Sequence, residues 1–187
     1  MTKQELIKFE QNIKDLFLDA KIRAPIHLSG GNEDALIEIF KLIKPEDWVL
    51  STHRSHYHAL LRGIDKEWIK SEILAGRSID LSNKEYKFLS SAIVGGCLPI
   101  ALGLAMAGES VWVFVGDMAA ETGMFHECTK YAGGHNLPIR FVVEDNGLSV
   151  DTPTQEAWGE LPTKPLIIRY QYERVYPHIG AGAWVVF

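Results

Sequence analysis

A carboxylate and an amide, each at the end of an apolar run, are the residues of this chain that first point to chemistry. Asp117 lies just beyond the run 111–115, and Asn146 lies shortly after the run 139–143. Both runs are rich in β-branched and aromatic residues, which is typical of strands buried on both faces of a parallel sheet. The two polar side chains are therefore expected at strand ends.

A helical segment at about 119–132, which a glycine pair ends, separates the two runs and completes a predicted βαβ unit. The crossover of such a unit is almost always right-handed, so both strands end at one edge of the sheet, where open α/β sheets bind ligands. A carboxylate, an amide and a main-chain carbonyl are oxygen ligands that suit Mg²⁺, which also takes phosphate oxygens and water. The helix start near Ala119 would favour a phosphate at the same place. These residues predict a site for a magnesium-bridged phosphate ester without identifying the ester.

The spacing of the two polar residues resembles the diphosphate-binding motif of thiamine diphosphate enzymes. That motif is GDG, a spacer of about 26 residues and NN, whereas this chain has GDM at 116–118 and EDN at 144–146. Met118 replaces a glycine and is expected to tighten the turn, while Asp145 replaces the first asparagine. An ordinary βαβ unit with polar caps is the alternative, since the motif is short. The resemblance implies a metal-ligand set of Asp117, Asn146 and the main-chain carbonyl of Leu148. It also implies cofactor contacts at Gly116, Asp117, Met118 and Ala119.

The stretch STHRSHYHALLRG at 51–63 carries three histidines and an arginine. It resembles the aromatic-Arg-x-His stretch, followed by glycine, of alpha subunits of the decarboxylating component of 2-oxo acid dehydrogenases. Arg54, His56 and Gly63 match, while His53 stands where that family usually has tyrosine. The resemblance implies that Arg54 binds the cofactor diphosphate, for which a guanidinium fork is suited. Two alternatives stay open: a solvated polar loop before a helix, and a zinc site, although the spacing fits no common finger pattern.

No catalytic acid or base can be named from these residues. The candidates for work on the substrate side are histidines, and each can equally be a satisfied surface or core residue. They are His53, His56, His58 and His126.

The segment AIVGGCLPIALGLAMAG at 92–108 has 17 uncharged residues, close to the lower limit for a membrane span. A glycine pair and Pro99 interrupt it, so a buried helix over 97–108 is expected. Its small residues allow another backbone to approach, which makes it a candidate interface helix. The segment resembles the IVGG stretch of the same alpha subunits, whose backbone contacts the aminopyrimidine ring. The resemblance implies cofactor contacts at Ala92, Val94 and Gly95.

The rest of the chain is assigned more coarsely. An N-terminal amphipathic helix lies within 1–24, and a helix at 32–42 is expected to be capped by Asn32. The segment 78–91 is expected to be a polar loop, without the family's histidine in a glycine-rich segment. The resemblance covers about 30–160 and does not extend over the rest of the divergent tail, 151–187. Further elements are expected as a helix at 68–75, loop near Pro153, Pro162 and Pro165, and strands at 166–170 and 183–187.

Composition limits the function classes. The chain has 187 residues and a net charge of −5, which argues against general nucleic-acid binding. Its two cysteines do not form a disulfide framework and suit a reducing compartment. The charged N-terminal helix does not have the pattern of a signal peptide. A soluble, cytoplasmic protein is therefore expected, without membrane or nucleic-acid partners.

Together these features predict one α/β domain over 1–187, a mostly parallel sheet flanked by helices with a thiamine diphosphate-binding fold. The resemblance implies an alpha-like subunit of an enzyme that uses thiamine diphosphate and Mg²⁺ on a 2-oxo acid. It also implies a partner subunit with a pyrimidine-binding domain and its glutamate, for which 187 residues leave no room, in an α₂β₂ heterotetramer. The alternatives are a split transketolase-like enzyme acting on a ketose, a 2-oxo acid decarboxylase subunit, and a non-catalytic cofactor-binding subunit.

Overall fold

The structure, a computed structural model, describes residues 1–159 and 167–186. Within these ranges the helices are α1 (Lys3–Leu18), α2 (Glu33–Phe40), α3 (His56–Leu61), α4 (Lys66–Leu74), α5 (Cys97–Met106), α6 (Asp117–Ala120), α7 (Gly123–Gly134) and α8 (Thr154–Trp158). The strands are β1 (Trp48–Thr52), β2 (Ser82–Asn83), β3 (Phe88–Ser91), β4 (Val111–Gly116), β5 (Ile139–Asp145), β6 (Leu148–Ser149), β7 (Thr152–Pro153) and β8 (Ile167–Gln171).

Six strands form one sheet in the order β2-β3-β1-β4-β5-β8, and only the edge strand β2 is antiparallel to its neighbour. The central strand β4 has five consecutive buried residues, as the continuous apolar run predicts. Alternate β4 side chains point to opposite faces. Trp112 and Phe114 join the core beside α1 to α4, while Val111, Val113 and Val115 join the core beside α5 and α7. The predicted mostly parallel sheet flanked by helices is confirmed.

The predicted βαβ unit is present, but its crossover differs from the prediction. β4 and β5 are parallel, with Gly116 opposite Glu144 at their carboxyl ends. The crossover is two helices rather than one, because α6 ends at Ala120 and α7 begins at Gly123. The Thr122 side chain accepts a hydrogen bond from the Phe125 main-chain N–H and caps the second helix. The long helix therefore begins four residues after Ala119, and the prediction of its start there is wrong.

Two predicted loops are ordered elements. The segment 78–91 contains β2 and β3, and β3 lies inside the sheet beside β1. The sequence of β3, FLSS, does not indicate a strand, since two of its four residues are serines. Ser90 is nevertheless buried, and its hydroxyl accepts a hydrogen bond from the Leu81 main-chain N–H at 2.8 Å. The solvated-loop interpretation of 51–63 is also wrong, because α3 is buried along most of its length.

Helix α5 is only partly buried, in contrast to the expected buried helix. Cys97, Leu98 and two alanines pack on the sheet, whereas Ile100 is 45% and Met106 is 58% exposed. Both cysteines of the chain are free and buried. No helix in the described part of the chain is long and apolar enough to span a membrane.

The tail folds back onto the segment 26–31. β8 extends the sheet beside β5, which confirms the predicted strand except for Leu166, and the Gly180 N–H donates to the Ile26 carbonyl at 3.0 Å. Residues 183–186 have no strand, so that prediction is wrong where it can be compared. Pro162, Pro165, Leu166 and Phe187 lie outside the described residues.

Candidate functional site

A cleft of about 140 Å³ opens where β1, β3, β4 and β5 end. Its lining includes every residue for which the sequence predicts a cofactor contact. These are Arg54, Ala92, Val94, Gly95, Gly116, Asp117, Met118, Ala119, Asn146 and Leu148. The sheet brings them together from segments that lie almost a hundred residues apart in the chain.

Asp117 provides the buried carboxylate of the cleft. It follows β4 directly and is 1% exposed. The Thr154 hydroxyl donates a short hydrogen bond to Asp117 Oδ2. Burial raises the pKa of Asp117 above its ordinary value, and Asp145 adds to that rise, while the Thr154 hydrogen bond opposes it. A positive ion in the cleft would favour the ionised form.

Asn146 lies in a tight turn after β5. The Leu148 N–H donates to Asn146 Oδ1 at 2.9 Å, and Asn146 Nδ2 donates to the Tyr172 hydroxyl at 2.9 Å. Gly147 between them has a φ of +72°, which favours glycine at this position. These bonds fix the amide, and its Oδ1 keeps a second lone pair for a ligand in the cleft.

Arg54 provides a partly buried positive charge on the wall of the cleft. Its Nη1 donates to the Leu28 main-chain carbonyl, and burial lowers the pKa of its guanidinium. Within residues 1–159 and 167–186 it forms no ion pair. A buried charge without a carboxylate partner is costly, so this site favours an anionic ligand.

The two departures from the motif are accommodated locally. Met118 lies in α6 without positive φ, so a residue other than glycine causes no backbone strain at this position. Its sulfur accepts a hydrogen bond from the Trp158 indole N–H at 2.9 Å. Asp145 is 6% exposed, accepts from the Gly147 N–H at 3.0 Å and pairs with Arg169 Nε at 2.8 Å.

The histidine candidates occupy three different environments. His56 is fully buried, with Nδ1 3.0 Å from Glu10 Oε1 and Nε2 2.9 Å from the Ser78 hydroxyl. His126 lies on α7 beside Phe125 and does not line the cleft. His53 does line it.

His58 is fully buried, with Nε2 3.2 Å from Glu144 Oε2. His56 and His58 lie against two different carboxylates, those of Glu10 and Glu144, so the described structure does not bring His53, His56 and His58 together as a zinc site.

Glu144 is a lining residue that the sequence did not single out. It is 7% exposed, and its Oε1 accepts hydrogen bonds from Asn32 Nδ2 at 3.1 Å and from the Tyr170 hydroxyl. Burial acts to raise the pKa of Glu144, but the charge and hydrogen bonding of His58, Tyr170 and Asn32 outweigh it and lower that pKa. Asn32 therefore serves this network, and its side chain does not cap α2 as predicted.

The tail supplies three further lining residues that the sequence did not assign to the site: Tyr172, Arg174 and His178. Arg174 donates to the Val150 carbonyl at 2.9 Å and to Asp151 Oδ1 at 3.1 Å. The positive charges, tyrosines and Pro-His-Ile-Gly turn of the tail are visible in the sequence, but nothing local connects them to the cleft.

The opposite rim of the cleft is apolar and exposed. Ile93 is 74% and Val94 is 73% exposed. Gly95 has a φ of +70° and lies close to α7, where an added Cβ would be 3.5 Å from Met124 Sδ. Pockets for drug-sized ligands usually enclose about 300–1,000 Å³, so a cleft of about 140 Å³ covers only part of a ligand that large.

The donor set has a clear chemical preference. A carboxylate, an amide oxygen and a main-chain carbonyl suit a hard divalent cation, while the guanidinium suits an anion bound to that cation. The residues present therefore fit a magnesium-bridged diphosphate.

Comparison with known proteins identifies the family of the chain. Residues 1–160 match the model of the dehydrogenase E1 component family. The alpha subunit of acetoin:2,6-dichlorophenolindophenol oxidoreductase from Bacillus subtilis (strain 168) is 31% identical over 169 residues, which cover 82% of this chain and 51% of that protein. Subunit alpha-3 of the chloroplastic pyruvate dehydrogenase E1 component from Arabidopsis thaliana is 31% identical over 160 residues, 74% of this chain and 37% of that protein.

The pyruvate dehydrogenase E1 component subunit alpha of Zymomonas mobilis is 29% identical over 167 residues, which cover 80% of this chain and 47% of that protein. The chain thus spans about half the length, or less, of these relatives. Since the family model covers most of the sequence, the chain belongs to the dehydrogenase E1 component family.

Proposed function

We propose that this protein is the alpha-like subunit of a two-chain enzyme that uses thiamine diphosphate and Mg²⁺ to act on a 2-oxo acid, by decarboxylation with acyl or aldehyde transfer. The observation that carries the proposal is the convergence of Arg54, Asp117 and Asn146 on one cleft in a member of the E1 component family. Two of the relatives are named as alpha subunits of pyruvate dehydrogenase E1 components, and pyruvate is a 2-oxo acid, which supports that class of substrate here.

The residues of this chain would divide the binding work between metal and diphosphate. Asp117, Asn146 and the Leu148 carbonyl would hold Mg²⁺, and the Thr154 hydroxyl keeps the Asp117 carboxylate oriented and less basic. The Arg54 fork would bind a diphosphate oxygen and so gain the anionic partner that it lacks within the described residues. Gly116, Met118 and Ala119 would surround the same group.

Thiamine diphosphate, when bound, supplies the acidic carbon and the electron sink that decarboxylation of a 2-oxo acid requires. The main chain at Ala92, Val94 and Gly95 would support the ring end of the cofactor. His53 lies on the cleft wall, where it can face a substrate, whereas His56 and His126 do not line the cleft.

A partner subunit would complete the site. The cleft is small, and its rim exposes Ile93 and Val94, while Ile100 and Met106 are exposed on nearby α5. Apolar residues exposed together are typical of an interaction surface. We propose that a beta-like subunit with a pyrimidine-binding domain covers this surface in an α₂β₂ assembly in the cytoplasm, with 1–187 forming one domain.

A ligand-binding experiment tests the proposal. Thiamine diphosphate with Mg²⁺ should raise the melting temperature of the full chain in proportion to the logarithm of ligand excess. Asp117→Asn should lose this stabilisation, because a neutral amide replaces the only charged metal ligand proposed here. Asp34→Asn is the matched control, since the Asp34 side chain is 76% exposed and lies outside the cleft. Equal stabilisation of both variants by the ligand would refute the assignment.

A further inference from the structure

Three histidines from distant parts of the chain meet beside the cleft. His27 precedes α2, His53 follows β1, and His178 lies in the tail. Their ring centroids are 4.3 Å apart for His27 and His53, 5.0 Å for His27 and His178, and 5.8 Å for His53 and His178. Each ring offers a nitrogen, and these three nitrogens lie within 4.8 Å of one another.

The three rings lack partners that would explain their position. In the part of the chain that the structure describes, none of them forms a hydrogen bond or an ion pair. His27 is 8% exposed, and its Nδ1 is a buried atom without a partner. Buried polar atoms are nearly always hydrogen-bonded, and an exception calls for an explanation such as a bound ion or water.

The rings are also in the form that binds metals. Burial, together with nearby positive charge, lowers the pKa of His27 to about 3 and of His53 to about 4, and burial lowers the pKa of His178 as well. All three imidazoles are thus neutral near pH 7 and need not lose a proton before they coordinate an ion.

We propose that His27, His53 and His178 bind a divalent transition-metal ion of the zinc type, with the fourth ligand position open to the cleft. Three histidines with one open position are a known arrangement of catalytic zinc sites. Zn–N bonds of about 2.0–2.1 Å place tetrahedral nitrogens roughly 3.3 Å apart, so the three nitrogens, which lie within 4.8 Å of one another, would have to approach by up to about 1.5 Å. This nitrogen site differs from the oxygen ligands at Asp117 and Asn146, because imidazole favours zinc, copper, nickel or iron and carboxylate favours magnesium.

The charged residues near the three histidines indicate which fourth ligand the metal would favour. Arg54 and Arg174 disfavour a bare cation at the histidines, while Glu144 acts on His53 and Asp151 acts on His178 in the opposite sense. The two arginines favour an anion on the metal. The open position therefore suits hydroxide or the carboxylate of a small acid that enters from the cleft.

The site would also tie the tail to the body of the protein. His178 belongs to the tail, and its neighbour Gly180 is hydrogen-bonded to Ile26, next to His27. A metal that binds all three rings links these segments. Metal binding should therefore stabilise the folded chain independently of any cofactor.

Cobalt titration of the untagged full chain, without cofactor or magnesium, tests the proposal. One equivalent of Co²⁺ should give the visible absorption of a four-coordinate nitrogen site, and Zn²⁺ should displace it. Loss of groups that merely support metal ligands costs roughly 10–100-fold in affinity, so loss of a ligand in His178→Gln should weaken Co²⁺ binding at least as much. His135→Gln is the control, since His135 is exposed and follows the last residue of α7.

His27→Gln should have the same effect as His178→Gln. Because His27 is buried, circular dichroism should first show that His27→Gln folds. If that variant does not fold, the result for His178→Gln, at a half-buried residue, decides the test. No cobalt band, or unchanged affinity in His178→Gln, would overturn the proposal. Neither result bears on thiamine diphosphate binding, which is measured separately with Mg²⁺.

Discussion

Gly31 is a point of close approach between the body and the tail, and its replacement by alanine tests whether the tail shapes the cleft. An added Cβ at Gly31 would lie 2.0 Å from the Glu173 main-chain oxygen. Real Cβ contacts are essentially never under 3.0 Å, so the backbone at Glu173 would have to move by about 1 Å. That movement would carry Tyr172 and Arg174 with it.

Gly108 provides a matched control for this change. Its φ is +90°, against +92° at Gly31, but an added Cβ there meets nothing within 4 Å. Both alanine variants pay for a left-handed backbone, about 1–2 kcal/mol. Gly31→Ala alone adds the overlap with Glu173, and overpacking of this kind costs about 1–3 kcal/mol more.

Urea denaturation and limited proteolysis distinguish the two variants. Gly108→Ala should lower the free energy of unfolding by about 1–2 kcal/mol and leave the tail protected. Gly31→Ala should lower the free energy of unfolding by about 2–5 kcal/mol. Alternatively, the tail detaches from the body in this variant, and the protease then cleaves the chain faster after β8. The reasoning fails if the two variants have the same stability and the same cleavage pattern.

Three further changes probe the cleft and its support. In Thr154→Val the pKa of Asp117 should rise further, because the hydrogen bond that lowers it is lost. When the pH is lowered, the variant should therefore lose Mg²⁺-dependent binding of thiamine diphosphate at a higher pH than the unsubstituted protein does. The same dependence of binding on pH in both proteins would contradict this. The Arg62 guanidinium donates hydrogen bonds to four main-chain carbonyls, so Arg62→Lys should lower the free energy of unfolding, measured with urea, by about 1–3 kcal/mol. A change below roughly 0.5 kcal/mol, the scatter of neutral surface substitutions, would show that these bonds do not stabilise the fold. His56→Ala removes the imidazole partner of the fully buried Glu10 and should lower the free energy of unfolding by about 3–5 kcal/mol. Adding Glu10→Gln in a double variant should restore part of that stability. If the losses of the two single variants simply add in the double variant, the two residues are not coupled.

The central βαβ unit could be predicted because its signals are local. Apolar runs at 111–115 and 139–143 define two buried strands, and parallel pairing follows from the helical segment between them. Once the strands are parallel, Asp117 and Asn146 must lie at the same edge. The expectation that these two side chains lie at one edge therefore needed only strand identity and the handedness of the connection, whereas the metal-ligand set came from the resemblance to thiamine diphosphate enzymes.

The burial of the histidines could not be predicted in the same way. His56 is stable in the core because Glu10, 46 residues earlier, and Ser78 satisfy both of its nitrogens. His58 lies beside Glu144 on β5. A polar residue in the core depends on a partner that no sequence window contains, so a run of histidines next to an arginine resembles a solvated loop.

The position of the tail beside the cleft could not be predicted from the sequence for a related reason. Besides side-chain bonds such as those of Tyr170 and Tyr172, its contacts with the body include close main-chain approaches, such as Gly31 against Glu173 and Gly180 against Ile26. Main-chain docking leaves little pattern in side-chain types. Arg174 and His178 were therefore visible as residues but not as parts of the site.

The two departures from the diphosphate motif bear on whether the site still functions. Asp145 is buried at the end of β5, and its charge is compensated by Arg169 on β8 and by the Gly147 N–H. An asparagine at that position could still accept the bond from Gly147 but would leave Arg169 without this carboxylate. Met118 fits an ordinary helical backbone. Both substituted residues thus have hydrogen-bond partners in the described part of the chain. The departures are therefore compatible with the proposed cofactor cleft, and they direct the choice of variants to Asp117 and Arg54 rather than to Met118 and Asp145.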